Sequence, residues 1–400
     1  MNPTEPNHRP DGAILWVCSW YPSSVSETNG DFIERMARAV HPYAPIVVLH
    51  AVADPSLRQE EIDRYEAPFP VLIVRYPSAG NSLVDHFRLN RAYRRGFDLL
   101  QQEGFYFSLL HLHCLHPAGR FARFLANALN VPLHITEHWT GFRSYRSGWK
   151  QRLVALMARP VVRRADRVMP VVQAQAEDMR ALGLRGNYSI VPNVVDIEVF
   201  FRKQKEVTEL RFLHISNLKE VHKNVRGLVR GFQEFRKTYP TAVLNIIGNG
   251  PEEGALKEYL TSEKLDENIR LLGPQPHPEV ARHLREAAIF VLFSNRENLP
   301  CVILEALATG TPVIATETGG IHQWVGQKQG VLVPPGDETA LLRAMTGVAK
   351  KLDRYEIEEV AKGVRETCSE EAIGQNIASG YERSLRAWKE TEGSPKLPEG

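Results

Sequence analysis

The stretch IFVLFSNRENLPCVILEALATGTPVIATETGG, residues 289–320, reads as strand, polar turn, helix, turn and second strand. Ile289–Ser294 is a short β-rich apolar run, the pattern of a strand covered on both faces. Pro300 suits the first helical position, because the N–H it lacks is one that a helix start leaves unpaired. Val302–Ala308 continue the helix, Gly310 and Pro312 end it, and Val313–Ala315 form the next strand. Such a repeat is the building unit of a parallel α/β sheet.

The rhythm extends in both directions. Upstream, strands are expected at Ile14–Cys18, Ile46–His50, Val71–Arg75, Leu109–His113, Leu133–Thr136, Val168–Val171 and Ile190–Val191. Helices are expected at Phe32–Val40, Ser82–Gln102, Ala118–Leu129 and Gln151–Arg164. Arg211–Ser216, Val243–Gly248, Ile269–Gly273 and Val331–Val333 complete a second strand series. A seam near residues 192–204 separates the series, and 400 residues suit two or three domains. The expected fold is α/β, with two doubly wound Rossmann-like domains facing across a cleft. The first domain spans 1–195 and the second 196–368; residues 369–400 supply a C-terminal helix returning to the first domain, then a frayed tail. In such sheets ligands bind beyond the carboxyl ends of the strands, where helix starts present unpaired N–H groups.

Chemistry concentrates in the opening stretch. Glu297 stands in the turn and Glu305 about two turns into the helix, so two carboxylates flank one helix N-terminus. Together they can accept hydrogen bonds from several hydroxyls of one ligand, while the helix start holds a diphosphate. That combination describes a pocket for a sugar nucleotide.

Here the chain resembles glycosyltransferase family 4, retaining enzymes of the GT-B fold, as a divergent bacterial-type member. Ser294, Glu297, Glu305, Ala306, Ala308, Gly310, Pro312–Thr316, Gly319 and Gly320 match that family's pattern in order. PNVVD (192–196), Lys223, GNGP (248–251), LLG (271–273) and GVLVPPGD (330–337) fall in register with it. NGDF (29–32), HLHCLHPAG (111–119) and TEHWTGF (136–142) match more loosely.

The resemblance implies roles. Glu297 would hold the donor sugar, Glu305 the ribose, and Lys223 the diphosphate as it leaves. His138 would lie near the transferred sugar, making Glu297, His138 and Lys223 the catalytic set. Asn298, Leu299, Pro300, Gly30, Asn193, Asn217, Gly248 and Gly250 would complete donor binding, with His113 and His116 on the acceptor side. Three positions depart from the pattern. Asn217 stands where members commonly carry arginine, Glu297-Asn298-Leu299-Pro300 replaces Glu-Gly-Phe-Gly, and Gln323 replaces an acid.

Other chemistries fit poorly. In GNGPEEG (248–254) Glu253 occupies the slot of a dinucleotide fingerprint's third glycine. The chain has neither the Asp-x-Asp of metal-bridged transferases nor the Gly-Lys of a Walker motif. His111 and His113 share one strand face and Cys114 the other, so the histidine cluster is not read as a metal site. The four cysteines form no CxxC pair, and the N-terminus lacks the apolar core of a signal peptide. No cofactor or metal is expected beyond a nucleoside-diphosphate sugar as donor substrate, and a cytoplasmic location fits.

The formal net charge is +2, yet residues 75–167 hold 15 basic against 5 acidic side chains, and 14 of the 15 are arginine. Arginine grips phosphate bidentately, so an anionic membrane surface is a candidate partner there, with peripheral placement on the inner face of the cytoplasmic membrane. Nucleic acid is not an expected partner. The leading expectation is transfer of a sugar to a hydroxyl of a saccharide or lipid-linked saccharide, with retention, in cell-surface polysaccharide synthesis. A sugar-nucleotide 2-epimerase or hydrolase of the same fold, and a non-catalytic sugar-nucleotide-binding protein, are the alternatives.

Overall fold

The computed structural model describes residues 12–142, 148–201, 209–265 and 267–392. The polar N-terminus, residues 143–147 of the arginine-rich stretch, the last residues of the 192–204 seam and the expected tail lie outside them. Contacts divide the chain into two units, Met1–Pro192 with Glu370–Gly400, and Asn193–Ser369.

The first unit is built on seven strands: β1 (Ala13–Cys18), β2 (Ile46–Asp54), β3 (Glu61–Tyr65), β4 (Val71–Pro77), β5 (Phe107–His113), β6 (Leu133–Glu137) and β7 (Arg167–Pro170). Their order is β3-β4-β2-β1-β5-β6-β7, parallel throughout except for the β3–β4 pair. The central β1 is buried from Ile14 onward, as its unbroken apolar run requires. One face of the sheet shares a core with helices Ser82–Gln102, Gly119–Leu129 and Trp149–Arg164, through residues such as Tyr93, Phe121 and Val161. Helix Glu370–Glu392 packs against helix Asp31–Val40 so closely that a Cβ on Gly374 would lie 2.0 Å from Ala39 O.

Two expectations for this unit change. Ile190–Val191 is not a strand. The segment makes one bridge, Tyr188 to Val168, and the Val191 N–H donates to Pro170 O at 3.1 Å, but Pro170 has no N–H to return, so no ladder forms. Strand β3 (EIDRY), in contrast, was not expected. It is an exposed edge held by charge, with Arg75 meeting Asp54, Glu61 and Asp63 at 3.0, 2.7 and 2.9 Å.

The second unit has β8 (Arg211–Ile215), β9 (Val243–Ile247), β10 (Ile269–Leu271), β11 (Ile289–Leu292), β12 (Val313–Thr316) and β13 (Gly330–Val333). All are parallel, in the order β10-β9-β8-β11-β12-β13. The order therefore reverses between β8 and β11, the switch point where a doubly wound sheet opens a crevice for ligand. Helices Val225–Arg236 and Glu338–Ala349 bury Phe232, Phe235, Leu341 and Met345 against the sheet. Pro300 proves to be the N-cap, with an extended ψ of 126°, and the helix runs Cys301–Ala308. Proline's fixed φ serves either position; its extended ψ places it before the helix.

Candidate functional site

The switch point of the second unit gathers the expected donor residues. β8 ends in a loop leading to the short helix Glu220–Lys223, and β11 ends in the loop that carries Glu297. Lys223 Nζ donates to Glu297 Oε1 at 2.5 Å, with both side chains largely shielded from solvent. The backbone ties the two loops together as well, because the Asn295 N–H donates to His222 O at 2.7 Å. Beneath Lys223, His214 donates from Nδ1 to Val291 O at 2.9 Å, leaving Nε2 as acceptor for the Ser216 hydroxyl at 2.8 Å. Burial lowers the His214 pKa to about 4, so the ring is neutral at physiological pH. Ser216 in turn accepts from the Leu218 N–H, fixing the loop from which Asn217 projects into solvent.

The loop after β11 is held from two further sides. Asn193 donates from Nδ2 to Leu299 O at 2.9 Å, and Gly320 N–H donates to Asn298 O at 2.8 Å. Gly319 has φ +61°, and a Cβ there would meet Asn298 O at 2.3 Å and Glu297 O at 2.6 Å. Glycine is thus required for the second loop to touch the first. Gly248 and Gly250 make the same kind of approach after β9, lying against the backbones of Ser216 and Asn217. Glu297, Asn298, Leu299 and Glu305 are all buried, and Glu305 lies within the helix that Pro300 caps.

In the first unit, Gly30 caps helix Asp31–Val40 with φ +83°, and its Cα lies against the backbone of Trp20 and Tyr21 beyond β1. The next turn brings Phe32 to His138, ring centroids 4.4 Å apart. Gly30 and His138 are therefore assembled together. His116 is exposed and stacks on Trp139 at 5.4 Å. His113 is different. It is wholly buried and stacked on Trp16 at 4.0 Å, so its side chain offers no surface to an acceptor. It is the last residue of β5, as expected, but every residue of that strand is covered. His111 is buried beside it, bonded to Thr136 Oγ1 at 2.6 Å and to Tyr381 Oη at 2.5 Å. Among the described residues no group of three or more His, Cys, Asp or Glu is placed to hold a metal ion.

The glutamate of TEHW was not among the expected site residues. Glu137 is fully buried; Oε2 accepts from the Leu115 N–H at 2.9 Å and Oε1 from the Trp139 N–H at 2.8 Å. It ties the loops after β5 and β6 and sets the backbone from which His138 projects. Burial raises its pKa to about 7 against the pull of those N–H groups. The available signal was an acid closing an apolar strand one residue before the candidate histidine.

Residues 209–351 match the family model described as glycosyl transferases group 1, and residues 26–194 match the glycosyl transferase 4-like domain. This chain belongs to glycosyltransferase family 4. The glycosyltransferase is 25% identical over 380 residues to TuaC of Bacillus subtilis, which is assigned to teichuronic acid biosynthesis, covering 87% of this chain and 90% of that protein. It is 25% identical over 403 residues to 2-deoxystreptamine N-acetyl-D-glucosaminyltransferase of Streptomyces fradiae, covering 93% of each. Among solved structures, sucrose-phosphate synthase from Thermosynechococcus elongatus superposes with TM-score 0.75 at 17% identity, over 94% of this chain and all of that one. HepE of Anabaena, solved with UDP and glucose, gives 0.71 at 17% identity, over 93% and 99%. The glycosyltransferase thus has the GT-B fold, as its sequence resemblance implied.

Proposed function

We propose that the glycosyltransferase moves a hexose-type residue from a nucleoside-diphosphate sugar to a hydroxyl of a saccharide or lipid-linked saccharide, with retention and without a metal, on the cytoplasmic side of the membrane. The observation that carries this reading is the Lys223–Glu297 pair at the switch point of the second sheet. An ammonium has three N–H donors, and one is used by Glu297; the others can meet diphosphate oxygens. The helix start at Cys301 adds backbone N–H groups and the positive end of its dipole. Charge develops on the diphosphate as the glycosidic bond breaks, and donors already fixed there lower that barrier. Glu297 takes the sugar hydroxyls and Glu305 the ribose diol. Asn193, Asn298, Leu299, Pro300, Asn217, Gly248 and Gly250 shape the crevice around them.

On this reading the acceptor oxygen bonds to the anomeric carbon while the bond to the departing phosphate oxygen breaks. The acceptor's proton passes to that leaving phosphate on the same face of the sugar, so configuration is kept. By the family resemblance His138, with Gly30 beside it, acts on the transferred sugar, and His116 serves the acceptor. Support for a nucleotide-sugar donor comes also from HepE, whose structures contain UDP, UDP with glucose, and UDP-glucose.

A panel of nucleoside-diphosphate sugars, first by thermal shift and then with acceptor extracts, tests the reading. Transfer should require acceptor, and proton NMR of the new anomer should show the donor's configuration. An inverted product would remove the retaining mechanism. Dominant epimer or free sugar from donor alone would favour the epimerase or hydrolase.

A further inference from the structure

The outward side of the first unit carries a surface that donor binding does not use. Helices Ser82–Gln102, Gly119–Leu129 and Trp149–Arg164 share one core beneath them and so form a single layer on one sheet face. Of the twelve exposed large apolar side chains among the described residues, seven lie on this layer. Phe87 and Trp149 are 73% and 71% exposed, and Phe124 is 55% exposed. In the third helix, Trp149, Leu153, Leu156 and Met157 follow i, i+4, i+7, i+8 spacing on the solvent side, opposite the buried Ala155, Ala158, Val161 and Val162. The helix therefore has two apolar faces, and only one is covered by the sheet.

Charge on the layer is one-sided. Helices Gly119–Leu129 and Trp149–Arg164 contain no acidic residue, and helix Ser82–Gln102 has Asp85 and Asp98 alone. Asp85 is occupied by the Ser78 hydroxyl and the Ala79 N–H. Glu60, from the segment before β3, pairs with Arg91 and Arg95 at 2.9 and 3.1 Å. Among the described residues, Arg94, Arg120 and Arg123 have no carboxylate partner. Between the first two helices lies a hollow of about 530 Å³ lined by Phe87, Arg91, Arg94, Arg120 and Phe124. Arg94 stands over the Phe124 ring, 5.2 Å from its centroid.

We infer that this layer docks on an anionic bilayer, with lipid headgroup phosphates in the arginine-lined hollow and the Trp149–Met157 stripe entering the acyl boundary. Polyanions in solution would satisfy the arginines and leave the apolar stripe in water. A neutral partner would cover the stripe and leave the arginines without countercharge. An anionic membrane meets both demands at once, since headgroup phosphate pairs with guanidinium and interfacial Trp and Leu bury in the boundary region. The proposal deepens the reading of a lipid-linked acceptor and rests on it only for purpose; vesicle binding is measured without donor or acceptor.

The test is co-sedimentation of the full chain with phosphatidylcholine vesicles, with and without phosphatidylglycerol. Binding is expected only where phosphatidylglycerol is present, and to weaken with salt. At about 1 kcal/mol per basic side chain, R94Q, R120Q and R123Q should each weaken it roughly fivefold. Brominated acyl chains should quench the wild type more than W149F, and L156S should loosen binding to anionic vesicles. Equal binding to both vesicles, or to neither, overturns the proposal. Charge-dependent binding with identical quenching of wild type and W149F overturns insertion of the stripe. Transfer to a water-soluble acceptor, unchanged in these variants, shows that they fold and separates a failed surface from a failed enzyme assignment.

Discussion

Lys223 and Glu297 meet at 2.5 Å, although 74 residues separate them in sequence. They do so because β8 and β11 are neighbours at the point where the second sheet reverses its order. Each carries the other's countercharge, and each is presented by a loop whose backbone also bonds to the other. Lys223→Ala and Glu297→Gln should therefore each lower kcat/KM by about 10²- to 10³-fold. The double variant should lose far less than the product of the two, because the residues act as a unit. Near-normal turnover in both single variants would remove the catalytic assignment.

Asn193 reaches the same loop from the start of the second unit. Asn193→Ala leaves Leu299 O without that donor in a buried place, and should cost about 1–2 kcal/mol of stability. Its kinetic effect should fall on the KM for donor more than on kcat, because the loop loosens while Glu297 remains. Unchanged stability and KM would make the Asn193 bond incidental.

Gly319→Ala puts a Cβ where the carbonyls of Glu297 and Asn298 already stand. The chain must move one loop away from the other, so transfer should drop at least tenfold, as about 1.4 kcal/mol of misplacement suffices for that factor. Titration of nucleoside diphosphate onto the variant should show weakened binding to match. Full activity would mean that the approach is not required.

Glu137 gives a pH signature of unusual sign. Its folded-state pKa of about 7 lies above the ordinary glutamate value near 4.3, so the folded protein holds this proton more tightly than the unfolded chain. Its contribution is fully present below about pH 4.3 and is lost as pH rises through about 7, a swing of about 3–4 kcal/mol. Glu137→Gln cannot titrate. Its stability relative to wild type should climb by that amount between pH 4.5 and 8, measured by denaturant unfolding. A constant difference would show that the carboxyl titrates normally.

Buried histidines act in the opposite sense. Burial lowers His50 and His214 to about 4 and His134 to about 3, and places His111 and His113 well below their ordinary value. Below about pH 6.5 the unfolded chain binds protons that the folded one refuses, so stability falls as pH drops. Each such ring costs about 2 kcal/mol between pH 6.5 and 5. His113→Phe keeps the stack on Trp16 and removes one titration, so it should flatten the acid limb of a Tm–pH curve and leave transfer within threefold. A large loss of transfer would return His113 to the acceptor site.

Both sheets were legible because their strands are buried on both faces and read as unbroken apolar runs, such as AILWVC and IFVL. Strand β3 was illegible for the converse reason: EIDRY is exposed and stapled by Arg75, which leaves no apolar pattern. Lys223 and Glu297 could be singled out separately, but their contact follows from strand order, which no local pattern encodes. His113 was misplaced because a histidine near a strand end suggests a ligand, whereas the aromatic surface of Trp16 buries it. Glu137 was legible only as the acid that closes the apolar strand LHITE, a weak mark because strand-end acids are usually solvated.

The pairing of His111 with Tyr381 and of His134 with Ser384 has a consequence for biosynthesis. The second unit is one uninterrupted segment, 193–369, whose two ends are already joined by the Val195 N–H bond to Cys368 O at 2.8 Å. A ribosome therefore delivers everything that unit needs while the first unit still waits for helix Glu370–Glu392. The half begun first should be the half finished last. Released chains that end at Ser369 should protect the second unit from protease and leave the first open to it.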